Sequence, residues 1–401
     1  MNSPIAVYIH YPYCVKKCPY CDFNSYGLSR FNSDPHSLER EYITALLKDL
    51  RTQTQADTPG IRQCRSVFFG GGTPSLMSGA SVEQILSELF AVFPAADDIE
   101  VTLEANPGTI QETLGADKLR AFLAAGVNRI SMGVQSFQAE KLKFLGRIHS
   151  SSDSLLAVEN IRTAGFSNFN LDLMFASANE KLEDWLSDLE TACSLEPRHI
   201  SMYGLTIEPG TDFAVQRSKG TVLKVSEEDE SLMYRRGCEL LSSAGYERYE
   251  ISNFAKSGFH CRHNLSYWSR CEYLGLGAGA HGFRDDEDWG VRLYNAPAPH
   301  DYIRRAGQNG DAVIRREKLS KEQAQIEFFM LNLRKAEGYH PDNYTDLFSE
   351  NLPDSTSATI EQLVSSNLLQ IDRGRVRLTD NGFLFADSVF EELALSLDSP
   401  R

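Results

Sequence analysis

The sequence reads Cys14-Val-Lys-Lys-Cys18-Pro-Tyr-Cys21 shortly after a β-rich run at Ala6–Ile9. This C-x3-C-x2-C spacing follows a predicted strand, where one loop can wrap three thiolates around a single iron–sulfur cluster. Three thiolates on a four-iron cluster leave one iron open to the amino and carboxylate groups of a methionine moiety. We therefore predict that these cysteines hold a [4Fe–4S] cluster that binds S-adenosylmethionine (SAM).

A zinc site is the alternative for the same cysteines. A structural zinc ion takes four ligands, so His10 or the distant Cys64 would have to join them. Zinc ligands usually come as two paired halves, whereas this chain has a single cluster of cysteines. A zinc-stabilised binding protein without radical chemistry is therefore the lesser interpretation. It predicts stoichiometric zinc and no brown colour after anaerobic purification.

Strand-like and helix-like segments alternate from residue 6 to residue 245. The strands are predicted at Ala6–Ile9, Ser66–Phe69, Glu100–Glu104, Arg129–Gly133, Phe169–Met174 and His199–Leu205. The helices are predicted at Leu38–Arg51, Val82–Phe93, Leu114–Gly126, Ser152–Gly165, Leu182–Leu195 and Glu227–Gly245. Strand–helix units of this kind form a parallel sheet, and six units do not close an eight-stranded barrel. We predict an α/β fold, a partial (β/α)6 barrel, with its ligand face at the carboxyl ends of the strands.

A second, smaller domain is predicted after an irregular stretch at Asn295–Asp311, where prolines and glycines cluster. We place the domains at residues 1–300 and 301–401. In the second domain, helices are predicted at Lys321–Lys335 and Thr356–Ser366, and a hairpin at Leu368–Asp372 and Arg375–Leu378. This C-terminal domain is thus expected to be helical and winged-helix-like. We interpret its wing as a lid or docking element rather than a DNA-binding one.

The composition is that of a soluble globular protein, with 42% hydrophobic residues and a formal net charge of −15. That charge repels phosphate backbones, and no basic patch is large enough to oppose it, so no nucleic-acid partner is predicted. No apolar stretch can span a bilayer, and Met1–His10 does not resemble a secretory signal. We expect a cytoplasmic protein that reaches a membrane only peripherally, through a partner.

Polar residues at predicted strand ends are candidates for SAM binding. Gly70–Pro74 follows the second strand, where glycines let a ligand approach the backbone, although a tight strand exit explains them as well. Glu104, Gln135 and Asp172 stand at or just after later strand ends. Their carboxylates and amide suit the ribose hydroxyls and amino group of SAM, and Arg147 offers a fork for its carboxylate. Taken singly, each is explained equally well by a structural hydrogen bond.

Several motifs together resemble the HemN/HemW group of radical-SAM proteins. Besides the cysteine run, they are Tyr8-Ile-His-Tyr-Pro-Tyr-Cys14, Gly70–Ser75, Glu104-Ala-Asn-Pro, Gly133-Val-Gln135-Ser, Leu145-Gly-Arg147, Leu205-Thr-Ile-Glu-Pro-Gly210-Thr and Tyr249-Glu-Ile-Ser-Asn253-Phe. The resemblance covers most of the first domain and, less specifically, the helical tail. It implies SAM contacts at Tyr8, Tyr20, Gly71, Gly72, Thr73, Glu104, Gln135, Arg147 and Asp172. In one departure, Ala176-Ser-Ala-Asn179 stands where the group has Gly-Leu-Pro-Gly.

Two functions are implied within that group. One is an oxygen-independent coproporphyrinogen III dehydrogenase, which decarboxylates two propionates in haem biosynthesis; the other is a haem chaperone. Phe23 stands where the dehydrogenase has a further cysteine, and 13 residues precede Cys14, too few for that enzyme's amino-terminal arm. We predict the chaperone, without dehydrogenase activity. The implied acceptors are haemoproteins such as respiratory complexes or bacterioferritin, and whether the chain forms a homodimer is left open.

A haem site is predicted at Cys261-Arg-His263-Asn264-Leu-Ser-Tyr267-Trp268, which resembles the HNxxYW signature of haem-binding members. The imidazole of His263 can ligate iron, while Tyr267 and Trp268 supply flat apolar area for a porphyrin face. Asn264 belongs to the same signature. The alternative is a polar turn in which His263 bonds to the backbone and both aromatic rings pack in the core. The chain lacks C-x-x-C-H, so covalent attachment of the c type is not indicated.

Overall fold

The computed structural model describes residues 3–111, 115–285 and 288–397. Its strands are β1 (Ile5–Tyr11), β2 (Tyr13–Cys14), β3 (Tyr26–Gly27), β4 (Cys64–Gly71), β5 (Ala95–Ala105), β6 (Arg129–Gln135), β7 (Phe169–Phe175), β8 (His199–Gly204), β9 (Glu247–Arg248), β10 (Asn253–Ala255), β11 (Tyr273–Leu276), β12 (His281–Arg284), β13 (Val291–Asn295), β14 (Val313–Lys318), β15 (Leu369–Asp372) and β16 (Arg375–Leu378). Its helices are α1 (Pro35–Gln53), α2 (Gly79–Val92), α3 (Gly115–Ala124), α4 (Ala139–Phe144), α5 (Ser151–Thr163), α6 (Leu182–Ser194), α7 (Asp212–Ser218), α8 (Glu227–Ser243), α9 (Arg262–Trp268), α10 (Pro299–Asn309), α11 (Lys321–Arg334), α12 (Pro341–Phe348), α13 (Asp354–Ser365), α14 (Asp380–Leu384) and α15 (Ala386–Leu397).

Twelve strands of the described ranges form one sheet, in the order β14-β13-β12-β11-β1-β4-β5-β6-β7-β8-β10-β9. Its centre consists of the six strands that the sequence predicts, all parallel, from β1 to β8. The predicted helices between them are also present, so the predicted fold class, an open (β/α)6 barrel, is confirmed. The sheet is longer than predicted, because β11 pairs parallel with β1 and antiparallel strands continue it at both ends.

Burial along the central strands separates packing residues from polar ones. In β1 and β7, every residue is buried except the fourth, which is half-buried. Strands of a parallel sheet that is covered on both faces are typically buried along their whole length in this way. The exceptions are Tyr8 in β1 and Asp172 in β7, two of the residues that the sequence assigns to the cofactor.

Helices α6 and α8 pack against the sheet through Trp185, which is fully buried. Its indole N–H donates to the Met233 carbonyl over 3.0 Å, which ties α6 to α8. Its ring stacks on Phe175 at the end of β7, with 5.1 Å between the ring centroids. One side chain therefore joins two helices to the strand that carries Asp172.

The prediction of an irregular stretch at Asn295–Asp311 is wrong, because helix α10 occupies most of it. Pro299 stands in the first turn, where a missing N–H costs nothing, and Gly310 ends the helix with a left-handed φ of 72°. The helix packs along α1, where the Tyr302 hydroxyl donates to Asp49 Oδ2 over 2.8 Å. Strand β14 then extends the sheet to Lys318, past the predicted domain boundary at residue 300.

The C-terminal part is helical with a small hairpin, as predicted. Helix α11 packs on α15, and β15 pairs antiparallel with β16, with Asp372 opposite Arg375. The two turn residues, Arg373 and Gly374, have φ values of 50° and 79°, the left-handed pair that a two-residue hairpin favours.

We expect Trp185→Ala to destabilise the protein by about 3–5 kcal/mol, because it removes a large buried ring and leaves a cavity between α6, α8 and β7. Urea unfolding followed by far-UV circular dichroism measures this change. Leu232→Ala on α8 is the control, since Leu232 is 44% exposed. Equal effects of the two substitutions would contradict the packing described for Trp185.

Candidate functional site

The predicted cluster loop lies at the carboxyl end of β1. Cys14 ends β2, and the Cys21 N–H donates to the Cys18 carbonyl over 3.2 Å in a turn. All three thiols are half-buried. Burial raises the pKa of Cys14 and of Cys21, so these thiols stay protonated until a bound cation favours the thiolates. The loop therefore suits metal ligation better than free surface chemistry.

The side chains near this loop do not form a site for a single ion. Across residues 3–111, 115–285 and 288–397, no three or more His, Cys, Asp or Glu side chains are arranged to hold one metal ion. A four-iron cluster is larger than an ion, so its thiolate ligands stand farther apart. Both fourth ligands that the zinc alternative requires are engaged elsewhere. His10 is hydrogen-bonded with the Tyr8 hydroxyl and the Asn24 carbonyl, at 3.0 and 2.8 Å. Cys64 is buried at the start of β4 and donates to the Ser66 carbonyl over 3.5 Å.

Arg147 connects the cluster loop to the end of β6. Its Nη1 donates to Cys18 Sγ over 3.5 Å, and its Nη2 donates to the Gly133 carbonyl over 2.7 Å. Its Nε is buried and has no hydrogen-bond partner in the described part of the chain. Tyr20 lies in the same region, and burial raises its pKa, so the hydroxyl stays neutral. A guanidinium here stabilises negative charge on the sulfur and keeps a donor for an anionic group.

The glycine segment is shaped by the cluster loop that packs on it. Gly71 has a φ of 114°, and a Cβ there would lie 2.5 Å from the His10 ring. A Cβ on Gly72 would lie 2.7 Å from the Tyr13 carbonyl oxygen, and the Thr73 N–H donates to that same oxygen over 2.9 Å. Close packing is therefore enough to require glycine at both positions, as expected for a tight turn after a strand. The same packing places both glycines beside the cysteine loop.

Two carboxylates lie in the barrel interior. Glu104 and Asp172 are half-buried, so each keeps surface that a ligand can touch. Burial, and next the charge of Asp172, raises the pKa of Glu104 to about 8, and burial also raises the pKa of Asp172. The Gly71 N–H donates to Glu104 over 3.1 Å and joins it to the glycine segment. These carboxylates are poised to accept hydrogen bonds from the hydroxyl and ammonium groups of a ligand.

Gln135 is held in a conformation that few residues adopt. Its φ is 67°, and the β6–β7 register shifts between Met132 and Gln135. Left-handed backbone at a non-glycine residue costs of order 1 kcal/mol and concentrates at functional sites. A Cβ on Gly133 would lie 2.9 Å from the Gln135 amide nitrogen, so the glycine leaves room for this side chain. The bulge places Gln135 next to the Gly133 carbonyl that Arg147 binds.

A buried hydrogen-bond chain that the sequence analysis missed supports Asp172. Asn170 donates to Asp172 Oδ1 over 2.8 Å, and its own Oδ1 accepts from His199 Nδ1 over 2.7 Å. His199 Nε2 in turn accepts from the Tyr249 hydroxyl over 2.7 Å. The Tyr249 hydroxyl also accepts from the Cys261 N–H, at 3.3 Å. The Asn-x-Asp spacing on β7, with both side chains on one face, is the signal that could have revealed Asn170.

The departure at Ala176–Asn179 preserves a glycine-like backbone without glycine. Ala176 and Asn179 stand where the group has its two glycines, and both have positive φ, 67° and 61°. Some of the loop N–H groups are already paired: Ser177 donates to Glu180 over 2.9 Å and Ala178 donates to the Leu223 carbonyl over 3.0 Å. The loop shape is therefore kept, while these two N–H groups serve the protein itself.

The predicted haem motif forms helix α9, and His263 lies inside the protein with 1% of its surface exposed. Its Nδ1 is hydrogen-bonded with Ser66 Oγ at 3.0 Å, and its Nε2 with the Tyr267 hydroxyl at 2.8 Å. Burial, and then the charge of Arg129, lowers its pKa to about 3, so the ring is the neutral form that can ligate iron. Ligation through Nε2 requires the Tyr267 hydroxyl to move away.

The rest of the haem motif lies between the barrel and the C-terminal domain. Asn264, Tyr267 and Trp268 are half-buried. The Trp268 indole nitrogen has no hydrogen-bond partner in the described part of the chain, and the Arg334 guanidinium lies over its ring at 4.5 Å. The His263 ring is 6.5 Å from that of Tyr8, between centroids. The motif is distant from the cysteines in sequence, yet it is a near neighbour of the cofactor site in space.

Comparisons with known proteins identify the family of this chain. Residues 8–192 match the Radical SAM superfamily, and residues 319–385 match the HemN C-terminal domain. Over 97% of both chains, the sequence is 38% identical to proteins named heme chaperone HemW from Haemophilus influenzae and from Escherichia coli. The chain belongs to the HemW family of radical-SAM proteins. Membership of the radical-SAM superfamily implies a [4Fe–4S] cluster and SAM.

The family extends to animals, and its fold is shared with an enzyme. The mitochondrial radical S-adenosyl methionine domain-containing protein 1 of Danio rerio is 34% identical over 98% of this chain and 87% of its own. The structure of coproporphyrinogen III oxidase (HemN) from Escherichia coli superposes with a TM-score of 0.80 and 21% identity. That match covers 99% of this chain and 90% of that one. At this identity, the likeness establishes a common fold.

We expect single Cys14→Ala, Cys18→Ala and Cys21→Ala variants each to lose most of the iron and sulfide that the anaerobically reconstituted protein retains. Each substitution removes one of the few ligands that the loop offers. Cys271→Ala is the control, because that half-buried thiol lies outside the loop. Iron and acid-labile sulfide assays measure the content. Full retention in all three loop variants would contradict this ligand set.

Glu104 should make the stability of the cofactor-free protein pH-dependent. Because its folded pKa of about 8 exceeds the ordinary 4.5, the unfolded state binds fewer protons in that interval, and the free energy of unfolding falls as pH rises. In Glu104→Gln this contribution is absent, while the amide oxygen still accepts the Gly71 N–H. Urea unfolding across this pH interval should give a flatter profile for the variant. For the exposed control Glu83→Gln, the profile should run parallel to that of the parent protein. A Glu104→Gln profile that also runs parallel to the parent's would contradict the assignment.

Proposed function

We propose that this protein is a haem chaperone, which binds haem and transfers it to haemoproteins. The observation that carries the proposal is the near full-length similarity to proteins named heme chaperone HemW. The presence of His263, Asn264, Tyr267 and Trp268 on one short helix supports it, because they combine an iron ligand with apolar rings.

For the cofactors, we propose that Cys14, Cys18 and Cys21 hold the cluster and that SAM lies over the strand ends. The residues proposed to line SAM are those that the resemblance implies, namely Tyr8, Tyr20, Gly71, Gly72, Thr73, Glu104, Gln135, Arg147 and Asp172. Held by these three thiolates, a [4Fe–4S] cluster would supply one-electron reduction to a bound SAM sulfonium. The protein contributes the half-buried carboxylates of Glu104 and Asp172, a fixed guanidinium beside Cys18 and a bulged strand end that carries Gln135.

For haem, we propose that His263 is the iron ligand and that Tyr267 is its gate. The Tyr267 hydroxyl is hydrogen-bonded to His263 Nε2, the nitrogen that we propose binds iron, and burial keeps the imidazole neutral. Because His263 is 1% exposed and its ring packs on those of Phe68 and Tyr267, haem binding requires the Tyr267 side chain to swing out as well as the loss of one hydrogen bond. The hydrogen bond itself contributes about 1 kcal/mol of that cost.

Coproporphyrinogen III dehydrogenase activity is the alternative within the same fold. Phe23 opposes it, because this side chain, 59% exposed, stands where the dehydrogenase has a cysteine.

We propose further that the acceptors are respiratory complexes or bacterioferritin and that the protein works in the cytoplasm. Among the described residues, no helix has the length and apolar character needed to cross a bilayer. We also propose that the C-terminal domain begins near residue 319, after β14.

Haem titration of three variants tests the iron ligand. His263→Ala should lose or shift the Soret band of the haem complex, because it removes an iron–nitrogen bond. Tyr267→Phe should keep the band and bind haem at least as well as the parent, since it frees Nε2 and retains the ring. His300→Ala, an exposed histidine on α10, should bind like the parent.

Two outcomes would overturn the proposal. One is a His263→Ala protein with parental spectrum and affinity, provided that its iron and sulfide content confirms correct folding. The other is conversion of coproporphyrinogen III to protoporphyrinogen IX by the reduced parent protein, which would establish the enzyme instead.

A further inference from the structure

A cavity of about 420 Å³ lies between the end of the haem-motif helix and the C-terminal domain. Ser269 and Arg270, which directly follow Trp268, form one side of it. The other side comes from α11, from the segment after it and from the hairpin, through Phe328, Lys335 and Arg375. Its volume is in the range of small-molecule sites. The residues that directly follow the haem motif thus line a separate cavity.

The cavity is rich in positive charge. Arg270, Lys335 and Arg375 line it, and Glu337 is the one acidic residue among the described lining residues. The chain as a whole carries a formal charge of −15, so this local excess runs against the global field. A surplus of cations kept in such a place indicates an anionic ligand.

Arg375 is fixed in place and Lys335 is under-paired. The Arg375 Nε and Nη2 donate to the carbonyls of Glu337 and Gly338, over 2.9 and 3.0 Å, so its guanidinium has a set orientation. The Glu337 carboxylate lies 3.8 Å from Nη2, so this one acid serves both Arg375 and Lys335. Lys335 is 7% exposed, and within the described ranges its Nζ has one carboxylate nearby, that of Glu337 at 3.7 Å. Burial lowers the pKa of Lys335, which a bound carboxylate would reverse.

Arg270 has a supporting role, because its charge is already shared. Its Nε donates to Glu327 Oε2 over 3.0 Å, and its guanidinium packs over the Phe283 ring at 4.7 Å. Lys335 and Arg375 are therefore the two cations of the cavity with which a ligand carboxylate can pair. Lys335 directly follows α11, and Arg375 begins β16, so they approach the cavity from two separate elements.

Apolar surface adjoins these cations. Phe328, Leu331 and Leu347 line the cavity, and Leu347 is 42% exposed. Trp268 lies one residue before the lining residue Ser269. A ligand with carboxylates at one edge and a large apolar body matches this combination better than an inorganic anion does.

We propose that this cavity binds the propionate edge of a porphyrin, with Lys335 and Arg375 as the partners of the two carboxylates. This proposal rests on the proposed haem function. His263 accounts for the iron of haem, and the cavity accounts for its two propionates. The backbone around these residues is held by the bonds of Ala336 N–H to the Tyr249 carbonyl and of Tyr339 to Val376, so the cations are positioned before the ligand arrives.

Metal-free protoporphyrin IX and its dimethyl ester test the proposal, because neither can use an iron ligand and they differ in charge at the propionates. Fluorescence titration of the anaerobically reconstituted full-length protein should show that the parent binds the free acid at least about tenfold more tightly than the ester. This comparison needs no variant, so it holds even where a substitution impairs folding.

The double variant Lys335→Gln/Arg375→Gln should bind the free acid about tenfold more weakly or worse and the ester like the parent. Arg373→Gln is the matched control, since it removes one charge from the same hairpin at an exposed position outside the cavity. Thermal unfolding confirms that the variants are folded.

The outcomes separate this inference from the proposed function. A parent that binds haem but does not discriminate acid from ester, or a folded double variant with parental affinity for the acid, overturns the propionate site alone. A parent that binds no haem at all overturns the chaperone proposal, and this inference with it.

Discussion

Parallel pairing of the central strands is the constraint on which the site depends. Because all six strands run in one direction, their carboxyl ends meet on one side of the sheet. The cysteine loop after β1, the glycines after β4, Glu104 on β5, Gln135 on β6 and Asp172 on β7 are brought together by that fact alone. Residues far apart in the chain thus share one volume without any long-range signal in the sequence.

The same arrangement concentrates charge that water cannot screen. Burial raises the pKa of both carboxylates, and the charge of Asp172 raises that of Glu104 further. The buried guanidinium of Arg129 partly compensates, since its charge opposes the rise in the pKa of Glu104 and of Asp172. Asn170 and Ser131 donate to Asp172 and reduce the same penalty. Burying these polar groups is therefore costly, and a ligand that brings ammonium and hydroxyl groups would offset that cost.

The sequence predicts the repeating parts well, because strand and helix periodicity is a local property. The six strands, their helices and the Asp372–Arg375 hairpin turn are of this kind. It fails at Pro299, because clustered prolines predict irregular structure whereas the first turn of a helix accepts proline. It also misses His199, because a hydrogen bond between side chains of different strands has no periodic pattern in the sequence. The pairing of His263 with Tyr267 depends on the packing of α9 against β4, which no spacing in the sequence specifies.

The two ends of the long sheet determine how this protein can associate. One edge is β14, whose run Arg315-Arg316-Glu317-Lys318 presents charge along the strand, and the other is β9, with two residues. Charged or very short edge strands resist the addition of a strand from another molecule. An open sheet of this length would otherwise be a template for aggregation. Any homodimer of this chain must therefore form through helices or loops, and its partner surface should be sought away from both sheet edges.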